Sequence, residues 1–191
     1  LTATFADRRF EIYGGNYIIR STLDKIRDNT GKVIIDIADP QPWRAKVYAV
    51  GTRIDLTDDY SDPRRGFRID VSRWWSPPVN HIDPDFFTVD YNAAAYIPLG
   101  KINTFVVNYF RSAAHVERQG TTARAAVASQ QNLNCSTILD PADQAECEQV
   151  IDNIIAANQY GTVGSLGGTS RMRAYPTDRY KGAHAVFYGT E

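Results

Sequence analysis

The class of fold follows from the nine residues YAVGTRIDL at positions 48–56. Every second position in this stretch is bulky, and the positions between them are small or charged. This two-residue period is that of a β-strand with one apolar face and one polar face. Turn-forming residues follow at 58–66 and a second alternating stretch at 67–72, so the two stretches predict a β-hairpin.

Three further stretches continue the alternation, at about 87–97, 103–115 and 183–191, and a short turn at 98–101 joins the first two. The predicted strands are about nine to twelve residues long, whereas strands of soluble sheets average about five or six and membrane-crossing strands need roughly nine to eleven. We therefore predict an all-β, antiparallel fold. The pattern favours a transmembrane β-barrel over a soluble β-sandwich, in which the strands alternate as well.

Aromatic residues lie near the ends of these strands, where transmembrane barrels carry girdles at the two membrane surfaces. They are Trp74, Trp75, Tyr96, Tyr109 and Tyr188. The stretches at 10–20 and 33–37 are also strand-like, but they are too irregular for their faces to be assigned.

Composition and charge exclude several classes of function. The chain has 21 basic and 22 acidic residues and a net charge of -1, which argues against a nucleic-acid binder. A hydrophobic content of 43% and a mean hydropathy of -0.37 fit a soluble domain, and they also fit a barrel with alternating strands. The sequence contains no nucleophile elbow, phosphate-binding loop or metal-ligand spacing, so we predict no enzyme, no metal and no cofactor.

A long connection runs from about residue 116 to residue 182. Asp140 and Pro141 suit the N-cap and first position of a helix, and apolar residues then recur at helical spacing, which predicts a short amphipathic helix that ends near residues 158–161. Cys135 and Cys147 lie close together in polar sequence without a histidine at zinc spacing. They predict a disulfide formed in an oxidising compartment, the alternative being two unrelated thiols.

The last part of this connection is rich in glycine and arginine. Gly167 and Gly168 permit tight turns, and Pro176 restricts the backbone where the segment ends. Such a segment can fold back along a polar barrel interior, where a guanidinium pairs with a carboxylate of the wall.

These residues resemble the loop signature of the bacterial surface antigen superfamily, the outer-membrane barrels that include barrel-assembly insertases and two-partner-secretion transporters. The resemblance rests on Gly167, Gly168, Met172, Arg173, Ala174 and Tyr175. The turn at 58–66 and the strand ending at 96–100 are similar to family features in the same order, so the resemblance covers about 47–191. Ala174 stands where the family has Gly, and Ala at a positive φ would be strained by about 1 kcal/mol.

The resemblance implies a segment of a sixteen-stranded antiparallel barrel in the bacterial outer membrane. Residues 1–46 would be a β-rich segment of earlier strands, and residues 47–191 would be strands with a long extracellular loop at 116–182 that folds into the lumen. The implied function is translocation of proteins or their insertion into the outer membrane. The implied partners are outer-membrane lipid, an unfolded or secreted protein and periplasmic POTRA domains.

Arg173 is the residue that the resemblance places in the lumen, bracing the loop against the barrel wall. Its candidate partners are Glu191 first, then Asp90 and Asp70. Arg171 takes this role if the register is shifted by two residues.

Two alternatives stay open. The barrel can be the anchor or exporter of a fused enzyme domain, such as a patatin-like lipase or a phosphatase, or the chain can be a soluble β-sandwich that serves as a binding module. Because five or six strands are fewer than the eight of the smallest barrels, we expect the chain to be a piece of a larger barrel.

Overall fold

The computed structural model describes residues 1–27, 30–37, 42–79, 82–163, 166, 171 and 182–191. The strands are β1 (Thr2–Phe5), β2 (Phe10–Thr22), β3 (Lys25–Arg27), β4 (Val33–Asp36), β5 (Pro42–Asp55), β6 (Gly66–Ser76), β7 (Asp85–Leu99), β8 (Asn103–Arg118) and β9 (His184–Thr190). The helices are α1 (Arg124–Gln130) and α2 (Pro141–Tyr160), and a 3-10 turn (Cys135–Thr137) lies between them.

Seven strands form one sheet in the order β1-β2-β5-β6-β7-β8-β9, and β3 pairs separately with β4. Every neighbouring pair in the large sheet is antiparallel, which confirms the predicted class. Within the described residues the sheet is open, because its edge strands β1 and β9 do not pair with each other. A closed barrel is therefore not present in this part of the chain.

The N-terminal strand β2 is more regular than its sequence suggested. It pairs with β5 over 13 residues, from Phe10 opposite Ile54 to Thr22 opposite Pro42. Gly14 and Gly15 interrupt the alternation of side chains, but their backbone still continues the ladder. The boundary predicted at residue 46 therefore falls inside β5, and the long connection begins after Arg118 rather than near residue 116.

The alternation divides the large sheet into two faces that we call the apolar face and the polar face. Exposed side chains on the apolar face include Phe10, Ile12, Val50, Ile54, Phe67, Ile69, Tyr91, Ile97, Phe105, Val107, Val186 and Tyr188. The polar face carries Glu11, Asp55, Asp70, Ser72, Thr88 and Ser112, which are buried. This is the reverse of a half-solvated soluble sheet, whose apolar face packs on a core.

The aromatic residues that were predicted to form a girdle lie on both faces of the sheet. Trp75, Tyr109 and Tyr188 lie on the apolar face, whereas Trp74 and Tyr96 lie on the polar face. The reason is the two-residue period of a strand, which turns adjacent side chains to opposite faces.

The long connections all leave the sheet at one end, which we call the loop end. Residues 23–41, 77–84 and 119–183 make these connections, while residues 6–9, 56–65 and 100–102 make the turns at the opposite, turn end. The turn before Gly66 is held by its own acids, because the Asp58 carboxylate accepts backbone N–H groups of Arg64 and Arg65. These hydrogen bonds lower the pKa of Asp58 below its usual range.

A second, smaller core lies at the loop end. Asp140 caps α2 by accepting the backbone N–H groups of Ala142 and Asp143, as predicted, and the end of α2 at Tyr160 lies within the predicted range of 158–161. The predicted disulfide between Cys135 and Cys147 is confirmed, with a Cα–Cα distance of 5.6 Å. The core consists of Ile26, Ile37, Val127, Leu133, Cys135, Cys147 and Ile151.

This core joins the β3–β4 hairpin to the two helices, so two of the long connections pack together. Among the described residues, none of the helices has the length and apolar character needed to span a membrane.

Candidate functional site

The polar face carries two groups of interacting side chains. The ionic cluster consists of Glu11, Tyr13, Arg53 and Asp70, on β2, β5 and β6. The loop-contact site consists of Asp90, Asn92, Phe110, Ser112 and Arg171, on β7, β8 and the long connection. Members of both groups line one recess of about 630 Å³.

Arg53 is the centre of the ionic cluster because the strand register places an acid on each side of it. Glu11 is its partner across β2 and Asp70 is its partner across β6. Arg53 Nη1 lies 3.1 Å from Glu11 Oε2, and Arg53 Nε lies 3.1 Å from Asp70 Oδ2. The Tyr13 hydroxyl donates to Asp70 Oδ1 at 2.8 Å. Both acids are nearly inaccessible to solvent, so the guanidinium compensates charge that water does not reach.

Gly51 makes this arrangement possible. It lies opposite Tyr13, and a Cβ atom at Gly51 would be 2.4 Å from the tyrosine ring. The missing side chain lets the ring of Tyr13 cross β5 and brings its hydroxyl to Asp70 on the next strand. In the described residues, no buried side-chain nitrogen or oxygen lacks a hydrogen-bond partner.

The chain returns from α2 along the polar face and not along the apolar face. Gly161 ends α2 with a φ of 73°, and a Cβ atom there would be 2.9 Å from the Cβ atom of Ala114. Beyond it, Val163 and Leu166 pack with the buried side chains of Phe110 and Ala185. The long connection therefore covers the loop end of the face that carries the charges.

Arg171 is a charged residue of this connection that contacts the strands. Its guanidinium carbon lies 3.5 Å from the centre of the Phe110 ring, and Nη2 lies 3.4 Å from Asn92 Oδ1. Burial lowers the pKa of Arg171, and the negative charge of Asp90 opposes this shift. Asp90 is held in place by a hydrogen bond from Ser112.

The motif residues themselves lie outside the described residues: Gly167, Gly168, Met172, Arg173, Ala174 and Tyr175. The role expected of Arg173 stays a prediction. Of its three candidate partners, Asp90 lies beside Arg171 and Asp70 belongs to the ionic cluster. Glu191 lies at the turn end, where its backbone pairs with that of Val106.

The local sequence does not reveal the ionic cluster, although its alternation places Arg53 on the polar side of the strand. The missing information was the register, since the acids that Arg53 meets are 42 and 17 residues away along the chain. The residues that the structure describes include no group of three or more metal-binding side chains. The site therefore combines ion pairs along a polar recess with Arg171, an arginine of the long connection that lines the same recess.

The polar face is the candidate functional site because it brings the buried charges and the long connection together. Its role is inferred from this geometry and from the contrast with the apolar face. Comparisons of the chain with models of known protein families, with curated proteins and with solved structures found no match.

Proposed function

We propose that the chain is part of an outer-membrane β-barrel that translocates proteins or inserts them into the membrane, with the long connection braced on the barrel's inner wall. One observation carries the proposal: the apolar face is exposed, while the charged face is buried and partly covered by the long connection. A lipid bilayer is the environment that suits such an apolar face, and a barrel interior tolerates polar groups.

The lengths of the strands support a membrane-crossing sheet. Strands β5, β6, β7 and β8 have 14, 11, 15 and 16 residues. Each is long enough to cross a bilayer at a tilt of roughly 45°, which takes about nine to eleven residues. The long connections at one end and the shorter turns at the other also fit the usual plan of outer-membrane barrels. The proposal includes further strands beyond the open edges β1 and β9.

The packing of the long connection argues against a soluble β-sandwich. In a β-sandwich a second layer covers the apolar face of the sheet. Here, however, Val163 and Leu166 pack on the opposite, polar face. Apolar side chains are exposed on six neighbouring strands, from β2 to β9 in the order of the sheet. Soluble monomers rarely expose an apolar surface that extends so far.

The resemblance of the loop motif supports the part of the proposal that concerns protein transport. The resemblance gives Arg173 the role of pairing with a carboxylate of the inner wall. Arg171, two residues earlier, lies at Phe110 and Asn92, where it positions the loop on that wall. Both arginines then act as positioning residues, since they hold a loop and contact no substrate.

Trp74 and Trp75 provide a matched test of the barrel. Trp75 is exposed on the apolar face, whereas Trp74 stacks on Tyr17 and donates to Ser72 on the polar face. We expect lipids that carry a quencher at the level of the headgroup to quench the fluorescence of Trp75 strongly and that of Trp74 weakly. The measurement uses the intact protein in vesicles, in two variants that keep one of these tryptophans and have phenylalanine at Trp43 and at the other. Equal quenching of both variants, or quenching of neither, contradicts the proposal.

Replacing Arg171 with alanine is expected to release the loop from the wall. The loss of the desolvated contact with Phe110 costs about 2 kcal/mol. Protease cleavage of the loop in whole cells should become faster and protein transport should fall, as we also expect for Arg173→Ala. Arg124→Ala is the control, because Arg124 pairs with Glu148 and Asp152 on the helices of the same loop. Unchanged cleavage and transport in the Arg171 and Arg173 variants would count against a bracing role.

A further inference from the structure

Positive charge is concentrated on one part of the apolar face. Arg20, Lys46, Arg73 and Arg111 belong to β2, β5, β6 and β8, and the register directs all four to this face. All four are exposed. The sheet's buried acids lie on the other side, as Glu11, Asp55 and Asp70 do. The apolar face is therefore apolar towards the turn end and cationic towards the loop end.

Arg73 and Arg111 lie on a diagonal across the sheet. Arg111 is opposite Tyr91, and Tyr91 is opposite Val71, so Arg73 is displaced by two residues towards the loop end. Two residues measure about 6.7 Å along a strand and two strand spacings measure about 9.6 Å, which corresponds to an angle of roughly 35°. Strands of transmembrane barrels tilt by about 35–45°, so a shift of this size can bring the two arginines to a common depth.

The surroundings of the two arginines leave their positive charge available to bind an anion. Among the described residues, Arg111 makes no hydrogen bond or ion pair. Arg73 lies over the ring of Phe87 at 3.8 Å and near that of Trp75 at 5.9 Å. In the described part of the chain its acidic partner is Glu117, which is 3.8 Å away and itself exposed. Aromatic rings of this kind support a cation at a membrane surface.

We propose that Arg73 and Arg111 bind the phosphate groups of anionic lipid headgroups at the membrane surface nearer the loop end. The inference rests on the proposed function, because the apolar side chains towards the turn end must contact acyl chains. An arginine facing lipid costs about 2–4 kcal/mol at the bilayer midplane and about 0–1 kcal/mol near the surface. The two residues therefore belong at the headgroups, where a guanidinium can donate two hydrogen bonds to one phosphate.

The thermal unfolding midpoint of the intact protein in vesicles tests this inference. We expect the midpoint to rise when part of the phosphatidylcholine is replaced by phosphatidylglycerol, and the rise to shrink at high salt. The double variant Arg73→Gln, Arg111→Gln should abolish the rise. Its control is Arg64→Gln, Arg65→Gln, which removes the same charge from the turn between β5 and β6 and should keep the rise.

Three results overturn the inference. They are an equal midpoint in both lipid mixtures, a rise that survives in the Arg73, Arg111 variant, and an equal rise when inorganic phosphate is added to phosphatidylcholine vesicles. Quenching of Trp75 by lipid distinguishes a failure of the lipid site from a failure of the proposed function. If Trp75 is quenched and phosphatidylglycerol has no effect, only the lipid site is refuted.

Discussion

An Arg53→Ala variant is expected to lose about 3 kcal/mol of its free energy of unfolding. The substitution leaves two carboxylates, Glu11 and Asp70, on the polar face without their shared counter-charge. Glu11 is 7% exposed and Asp70 is 9% exposed, so water does not replace the guanidinium. The hydrogen bond from Tyr13 remains and compensates part of the charge on Asp70. Because Arg53 is itself partly exposed, we place the loss at the lower end of what breaking a buried ion pair costs.

The free energy of unfolding is measured by denaturant titration of the intact protein in one fixed lipid or detergent. Arg65→Ala is the matched control, because the Arg65 side chain lies in an exposed turn. Adding Glu11→Gln and Asp70→Asn to Arg53→Ala should restore much of the loss, since neutral amides no longer need a counter-charge. If Arg53→Ala alone is as stable as the unchanged protein, the cluster does not hold the three strands together.

A variant with serine at both Cys135 and Cys147 is expected to lose about 3 kcal/mol of stability in the helical part of the long connection. The disulfide closes a loop between residues 12 apart in the sequence, and without it the unfolded connection gains entropy. Both sulfur-bearing side chains are buried, at 4% and 0% exposure, so the substitution also places hydroxyl groups in an apolar core. The sheet should remain folded, because its ladders do not depend on this core.

Hydrogen exchange of backbone amides measures the two parts separately. Amides of α2 should exchange faster in the serine variant and in the reduced protein, whereas amides in the middle of β7 and β8 should not change. Alanine at both positions is the control for the polar substitution, because it removes the disulfide without adding hydroxyl groups. Unchanged protection of α2 after reduction would show that the apolar contacts alone hold the connection together.

Strands could be predicted from the sequence where bulky and polar side chains alternate regularly along the chain. Alternation at 48–56 and 67–72 identifies β5 and β6 because every second side chain must suit the same surroundings. The alternation is weaker in β2, because Gly14 and Gly15 have no side chains to show which face they are on. Pairing with β5 maintains the strand through these two residues.

The candidate site could be predicted less well than the strands. Asp70 and Asp90 lie on the polar side of their strands, as predicted, but the pairing of Asp70 with Arg53 could not be read from the local sequence. Which acid meets which arginine depends on the register between strands. A shift by one residue would reverse every face, and local sequence carries little information on such long-range pairing.

Local sequence is enough to specify the antiparallel strands, the two unlike faces, the helix start at Asp140 and the cysteine pair. Each of these depends on residues that are close together in the chain. Three features follow only from the folded chain: Arg53 joins Glu11 to Asp70, Arg171 lies at Phe110, and the long connection covers the polar face. These contacts join segments that are far apart in the sequence, so their geometry depends on the strand register and on the pairing of buried charges.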